Sequence, residues 1–198
     1  MFYEFIRKLT CPFEKIEEFV PKEGKILEVG CGHGLFSKLV AQKSNNIIVT
    51  GIDPSVKKIE AAKRNNNLKN LNFKVAYLED INEKFDCITI IDVLYLLPDR
   101  EKLKLLKNCR KNLNAGGRLI LVENGYGKEL IFWILKIQET IMIKLLRFTH
   151  SDFRELYFLD INNYRKLLIN AGFEVEIEKN LKSIIPYLHV LFVTKLNS

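Results

Sequence analysis

The chain has 198 residues, long enough for one domain with a sizeable core and too short to expect two; the reading is a single domain over 1–198. Hydrophobic residues make up 47% and charged residues 28%, which excludes a disordered, fibrous or collagen-like chain. No apolar run approaches the roughly 20 residues needed to cross a bilayer, so an integral membrane protein is excluded as well.

Lys and Arg number 31 against 24 Asp and Glu, a net charge of +7, but the basic residues are spread from Lys8 to Lys195 with no dense block. A net positive charge would favour an anionic partner, but spread in this way it decides nothing; the small size and the missing Asn-Pro-Pro-aromatic motif make nucleic acid an unexpected partner. Cys11, Cys31, Cys87 and Cys109 are scattered and form no CxxC pair; with no HExxH, and with histidines only at 33, 150 and 189, no metal is expected. The N-terminus mixes Glu4, Arg7 and Lys8 into its apolar residues and lacks a cleavable signal pattern. Reduced thiols and a cytoplasmic location are the expectation.

Along the chain, a short amphipathic helix is predicted after Pro12, then a strand over Lys25–Val29 that runs into Gly30-Cys31-Gly32-His33-Gly34. A helix carrying Leu35, Phe36, Leu39 and Val40 follows, then a buried strand over Ile47–Ile52 closed by Asp53-Pro54, and a helix from Ser55 to Asn66 with Pro54 in its first turn. Strands are predicted over Phe73–Tyr77 and Phe85–Asp92, the second rich in isoleucine and so buried on both faces. A helix with Leu103, Leu106 and Leu113 ends before Asn114-Ala115-Gly116-Gly117, and a fifth strand covers Arg118–Glu123. The last predicted elements are a helix over Asp160–Ala171 stopped by Gly172 and strands over Phe173–Lys179 and His189–Lys195. Alternation of this kind points to an open α/β sheet with helices on both faces. One segment, about 128–150, has a narrow polar stripe of Lys136, Glu139, Thr140, Lys144 and Arg147 and a wider apolar face than a sheet-packing helix needs.

The chemistry-bearing pattern is Glu28-Val-Gly30-Cys-Gly32-His-Gly34 with Asp53 about 20 positions on. Glycines at a strand end let the backbone turn sharply and approach a ligand, with helix N–H groups facing it. An acid closing the second strand suits the two hydroxyls of a ribose. ILEVGCGHG and GIDPS resemble the first two motifs of the class I S-adenosylmethionine-dependent methyltransferases, small-molecule branch. FDCITIIDVLYLLPD, LLKNCRKNLNAGGRLILVE, LLINAGFEVE and HVLFVTK resemble the later elements of the same family, so the resemblance covers nearly all of the chain outside 128–150.

What the resemblance implies is a Rossmann-like seven-stranded sheet, mostly parallel, with the last strand antiparallel between strands five and six. It implies S-adenosylmethionine as cofactor, leaving as S-adenosylhomocysteine. Gly30, Cys31 and Gly32 would pass along the methionine part, and Glu28 would orient that loop or meet the amino group. Asp53 would accept from the ribose hydroxyls, with Pro54 and Ser55 beside it. Relatives carry an acid after strand three that faces the adenine amino group, where this chain has Tyr77; Leu78 could offer a backbone N–H, and Glu79 or Asp80 could reach the amino group. Many relatives read Leu-Tyr-His-Leu after strand four, where this chain reads Leu94-Tyr95-Leu96-Leu97, a greasier wall.

Asp92 either lines the cofactor pocket or caps a helix, Tyr95 either lines the pocket or packs, and His150 lies where a substrate segment would fold over it; these three are the candidates for chemistry. The activity implied is methylation of oxygen or nitrogen on a small-molecule or lipid-like acceptor. The alternatives are a non-catalytic cofactor binder or scaffold and an RNA or protein methyltransferase. The 128–150 segment stays open as a substrate lid, a peripheral membrane contact or a dimer contact.

Overall fold

In the computed structural model, residues 7, 9–124, 157–182 and 188–196 are described. The strands are β1 (Gly24–Val29), β2 (Ile47–Asp53), β3 (Leu71–Val75), β4 (Phe85–Ile91), β5 (Leu113–Asn124), β6 (Phe173–Lys182) and β7 (Leu188–Leu196). The helices are α1 (Phe13–Glu17), α2 (Leu35–Lys43), α3 (Val56–Arg64), α4 (Asp99–Asn112) and α5 (Ile161–Asn170), with single 3₁₀ turns at Leu78–Asp80 and Leu94–Leu96.

All seven strands hydrogen-bond into one sheet of order β3-β2-β1-β4-β5-β7-β6. Strands β1 to β5 pair in parallel, while β7 runs antiparallel to both β5 and β6, as the resemblance implies. The central strands are buried on both sides because their side chains alternate between two apolar layers. Ile26, Cys87, Ile120 and Leu191 join Phe13, Ile16, Phe36, Val40 and Ile59 of α1, α2 and α3. Leu27, Ile88, Leu121 and Phe192 join Leu106, Cys109, Tyr164 and Leu168 of α4 and α5 on the other face.

Several boundaries differ from the sequence expectation, each for a tertiary reason. β3 begins two residues early, since Leu71 pairs with Val49, and Tyr77 falls outside it. The helix after Asp53 is Val56–Arg64, with Ser55 as its N-cap and Pro54 outside. Leu113 leaves α4 and opens β5 by pairing with Phe85; the Asn114–Gly117 residues then bulge before Cys87 meets Arg118. The edge strand β6 also carries a register shift between Val175 and Ile177, and Glu174 and Glu176 beside it pair with Lys195 of β7. Charges and a bulge on an edge discourage pairing with another chain.

Candidate functional site

The parallel strands place the ends of β1, β2 and β4 side by side, and the glycine-rich turn sits at the first of them. Gly30 and Cys31 both donate to the Ile52 carbonyl, at 2.8 and 2.9 Å, so the turn is tied to β2. Gly30 has φ 75°, and a Cβ there would stand 2.5 Å from Val93, so only glycine fits without displacing the chain beyond β4. Gly32 also has a positive φ of 56°, but a Cβ on it would meet nothing within 4 Å. The turn is therefore packed against protein at Gly30 and open at Gly32.

Two buried carboxylates hold this turn. Asp53, at the end of β2, accepts from the Gly32 N–H at 3.0 Å through Oδ2 and from the Ser55 N–H at 2.9 Å through Oδ1, with Lys58 Nζ 3.8 Å from Oδ2. Glu28, one residue before the end of β1, accepts from the Ser37 N–H at 2.8 Å and from the Ser37 hydroxyl. Ser37 lies in the first turn of α2, so Glu28 pins the helix that the turn leads into. Burial pushes the Glu28 carboxyl up to about 7, against the lowering effect of the Ser37 donors. Glu28 is thus engaged with Ser37 of α2.

Beyond β3, Asp80 accepts from the Tyr77 N–H at 3.0 Å and closes its own turn, Leu78 is buried in the core, and Glu79 pairs with Lys104 of α4. Tyr77 is 55% exposed beside them. Pro54 is exposed next to Asp53, and Cys31 is buried behind the turn.

A second group of polar side chains gathers at the ends of β4, β5 and β7. Asp92 follows β4 with φ 56°, a conformation few non-glycine residues adopt. It is not the N-cap of a helix: Val93 precedes the 3₁₀ turn, and the Asp92 side chain reaches distant parts of the chain instead. Its Oδ2 accepts from Arg7 Nη1 at 2.7 Å and lies 3.2 Å from His189 Nε2, and its Oδ1 accepts from Asn124 Nδ2 at 3.3 Å. Burial alone would raise this carboxyl, but His189 and Arg7 outweigh it and hold it well below the usual carboxylate range.

Glu123, on the other face of β5, is fully buried and accepts from the Val93 and Leu94 N–H groups at 3.0 and 2.7 Å. Burial, with the Asp92 charge second, pushes it up to about 8. Thus the segment that follows β4 is held by Glu123 and packs closely against Gly30 through Val93.

Tyr95 is buried, stacks on Phe158 with centroids 5.1 Å apart, and accepts from the Tyr157 N–H at 2.7 Å through its carbonyl. Lys102 of α4, wholly buried, donates to the Tyr157 carbonyl at 2.6 Å and to Asp99 at 2.7 Å. These contacts fix the chain as it re-enters the described residues at Tyr157. His150 and the 128–150 segment lie outside the described residues.

Arg7, Ser37, Lys102, Glu123 and Asn124 were not singled out from the sequence. Glu123 had a legible signal, a lone acid ending the apolar run Leu119–Val122 of a doubly buried strand. Arg7 had none, because its partner is 85 residues away. Among the described residues no helix is long and apolar enough to cross a membrane.

The family described as "Methyltransferase domain" matches residues 3–177. The chain is 34% identical over 110 residues to a ubiquinone biosynthesis O-methyltransferase of Coxiella burnetii (strain Dugway 5J108-111), covering 52% of this chain and 45% of that protein. The chain thus spans about half the length of the curated relatives it matches. Its fold is similar to that of a putative methyltransferase of Haloferax volcanii, solved in complex with the Trm112 activator, at TM-score 0.76 and 14% identity, covering 99% of this chain and 93% of that one. It is similar as well to a SAM-dependent methyltransferase of Methanosarcina mazei, at TM-score 0.70 and 22% identity, covering 93% and 98%. At those identities the two structures speak for the fold alone. The sheet order, the glycine turn clamped by two acids and the match over 3–177 lead to one assignment: the chain belongs to the methyltransferase domain family and has the class I fold.

Proposed function

We propose that the protein is an S-adenosylmethionine-dependent methyltransferase acting at an oxygen of a small, largely apolar acceptor. The observation that carries this reading is the pairing of Asp53 with the Gly32 N–H, next to a Gly32 Cα that faces open space. A backbone that lacks a side chain there leaves a cradle that a ligand can enter, and the acid closing β2 stands beside it. When bound, the sulfonium supplies an activated methyl carbon with a thioether as leaving group.

The chain's residues then have positional work. Gly30, Cys31 and Gly32 would pass along the methionine portion. Asp53 has lone pairs left after its bonds to Gly32 and Ser55, and these would accept from ribose hydroxyls. Pro54, Leu78, Glu79 and Asp80 border the region where the adenine would lie, with exposed Tyr77 offering a face to stack on. Asp92 and Tyr95, at the β4 end, would set the far wall from within, since both side chains are already engaged. Transfer needs nucleophile and methyl carbon held in line at about 3–3.5 Å, away from water, so a rigid apolar site contributes more than a dedicated catalytic residue.

The ubiquinone-pathway name of the curated relatives supports oxygen as the methylated atom. An unattributed role remains for 128–150, for which we keep a lid over the acceptor as first reading and membrane or second-subunit contact as the others. Liposome co-sedimentation of the protein with and without that segment tests the membrane reading, which unchanged binding would defeat.

Calorimetric titration of wild type and Asp53→Ala with S-adenosylmethionine, S-adenosylhomocysteine and NAD tests the proposal. Micromolar binding of the sulfonium and its product, weakened at least about tenfold in the variant, is the expected result. Preference for NAD would overturn it; binding without turnover of any catechol or phenol in an acceptor screen would move the protein to a non-catalytic cofactor binder.

A further inference from the structure

Apart from the glycine turn, the fold brings together three side chains that carry metal-ligating atoms and are far apart in sequence. Cys11, Asp92 and His189 each present one such atom, and the three lie within 4.8 Å of one another. They come from three separate places: the stretch just before α1, the residue after β4, and the start of β7. Cys11 and His189 are 1% exposed, and the Asp92 side chain 5%. Asn124, which pairs with His189 across the β5–β7 ladder, adds a fourth group. Its Nδ2 donates to Asp92 Oδ1, while its buried Oδ1 has no hydrogen-bond partner among the described residues. A buried amide oxygen without a donor costs free energy comparable to a lost hydrogen bond, and a cation would remove that cost.

We propose that Cys11, Asp92 and His189 form a site for a divalent transition-metal ion of the zinc type, with the Asn124 Oδ1 as the fourth donor. One sulfur, one imidazole nitrogen and carboxylate oxygen are the donors such ions select, whereas magnesium and calcium take oxygen almost exclusively. On binding, bonds form from the metal to Sγ, to the imidazole nitrogen and to oxygen. The Cys11 thiol gives its proton to solvent, and any proton on the imidazole nitrogen that binds the metal leaves to solvent as well. No electron is transferred.

Arg7 is the opposing element. Its guanidinium sits 2.7 Å from Asp92 Oδ2 and brings a positive charge to the edge of the site. It shares Asp92 with the metal and lowers the affinity, so the site would be filled only by an ion with strong preference for thiolate. The site does not depend on the proposed methyl transfer and is read without it.

The test is titration of metal-stripped full-length protein with cobalt(II), followed by its absorption spectrum. Wild type is expected to bind one equivalent, with the thiolate-to-metal band in the near ultraviolet and intense visible bands of a four-coordinate ion. Cys11→Ser, a near-isosteric change, should abolish the thiolate band; His189→Gln should weaken binding about 10–100-fold; Arg7→Met should tighten it. X-ray absorption on zinc-loaded wild type, which needs no variant to fold, should give one sulfur at about 2.3 Å and lighter scatterers for the rest. No stoichiometric binding by wild type or Arg7→Met, a thiolate band that survives Cys11→Ser, or a zinc shell with no sulfur or several would each overturn the proposal.

Discussion

The two polar regions at this edge of the sheet are built in opposite ways. The glycine turn is assembled locally: Glu28 reaches Ser37 nine residues on, Asp53 reaches Ser55 two residues on, and the link from Asp53 to Gly32 joins adjacent parallel strands. The Asp92 region is assembled from afar, with Arg7, Asn124 and His189 arriving from segments 85, 32 and 97 residues distant. The local site keeps open space at Gly32, while the distant one is closed on all its charges. A recurring turn can be written in a short motif, but a charge cluster made of four segments exists only once the sheet has ordered them.

The contrast can be broken most directly at Asp92. Asp92→Ala leaves the buried His189 and the partly exposed Arg7 without their shared acceptor, and a loss of about 3 kcal/mol in chemical denaturation is expected. A loss below about 1 kcal/mol would mean that the cluster is not what holds the N-terminal segment to the sheet.

On the turn side, Gly30→Ala should cost about 2–4 kcal/mol, from the left-handed backbone and the contact with Val93 together. Gly32→Ala shares the positive φ but has open space, so it should cost less in stability and more in cofactor affinity. Equal stability losses for the two would remove the distinction between a packed and an open glycine.

Glu28 sharpens the comparison through pH. Its carboxyl is raised by burial to about 7 from an ordinary 4.5, so its favourable contribution is full below about pH 4.5 and is lost as pH rises through about 7. Glu28→Gln cannot ionise, and its stability should fall less than that of wild type between pH 5 and pH 8, by of order 2 kcal/mol. Parallel stability profiles for the two proteins would show that the wild-type carboxylate stays ionised throughout.

The smallest effect is expected for Asp53→Asn. The amide oxygen keeps one of the two backbone bonds, so calorimetry should register a loss of S-adenosylmethionine affinity of about tenfold or less, below that of Asp53→Ala. A larger loss than for the alanine variant would mean that the amide nitrogen clashes with the Gly32 N–H.

Much of this was legible beforehand because it is local. The turn residues, Asp53 at the end of β2, the helix that Gly172 stops and the antiparallel last strand all follow from short patterns or from a resemblance carried by them. Strand ends were less legible: Leu113 reads as helix by its spacing, yet pairing with Phe85 takes it into β5. Asp92 reads equally as pocket lining or helix cap, and neither reading foresees its three distant donors.

Sequence by itself therefore determined the alternation of elements, the doubly buried central strands and the glycine turn after β1, since each depends on residues within a helix, a strand or one strand-to-helix unit. Only the tertiary structure decided that the ligating atoms of Cys11, Asp92 and His189 lie within 4.8 Å of one another and that Arg7 and Asn124 both donate to Asp92. The antiparallel insertion of β7 beside β5 sets His189 against Asn124, and no spacing along the chain encodes that neighbourhood.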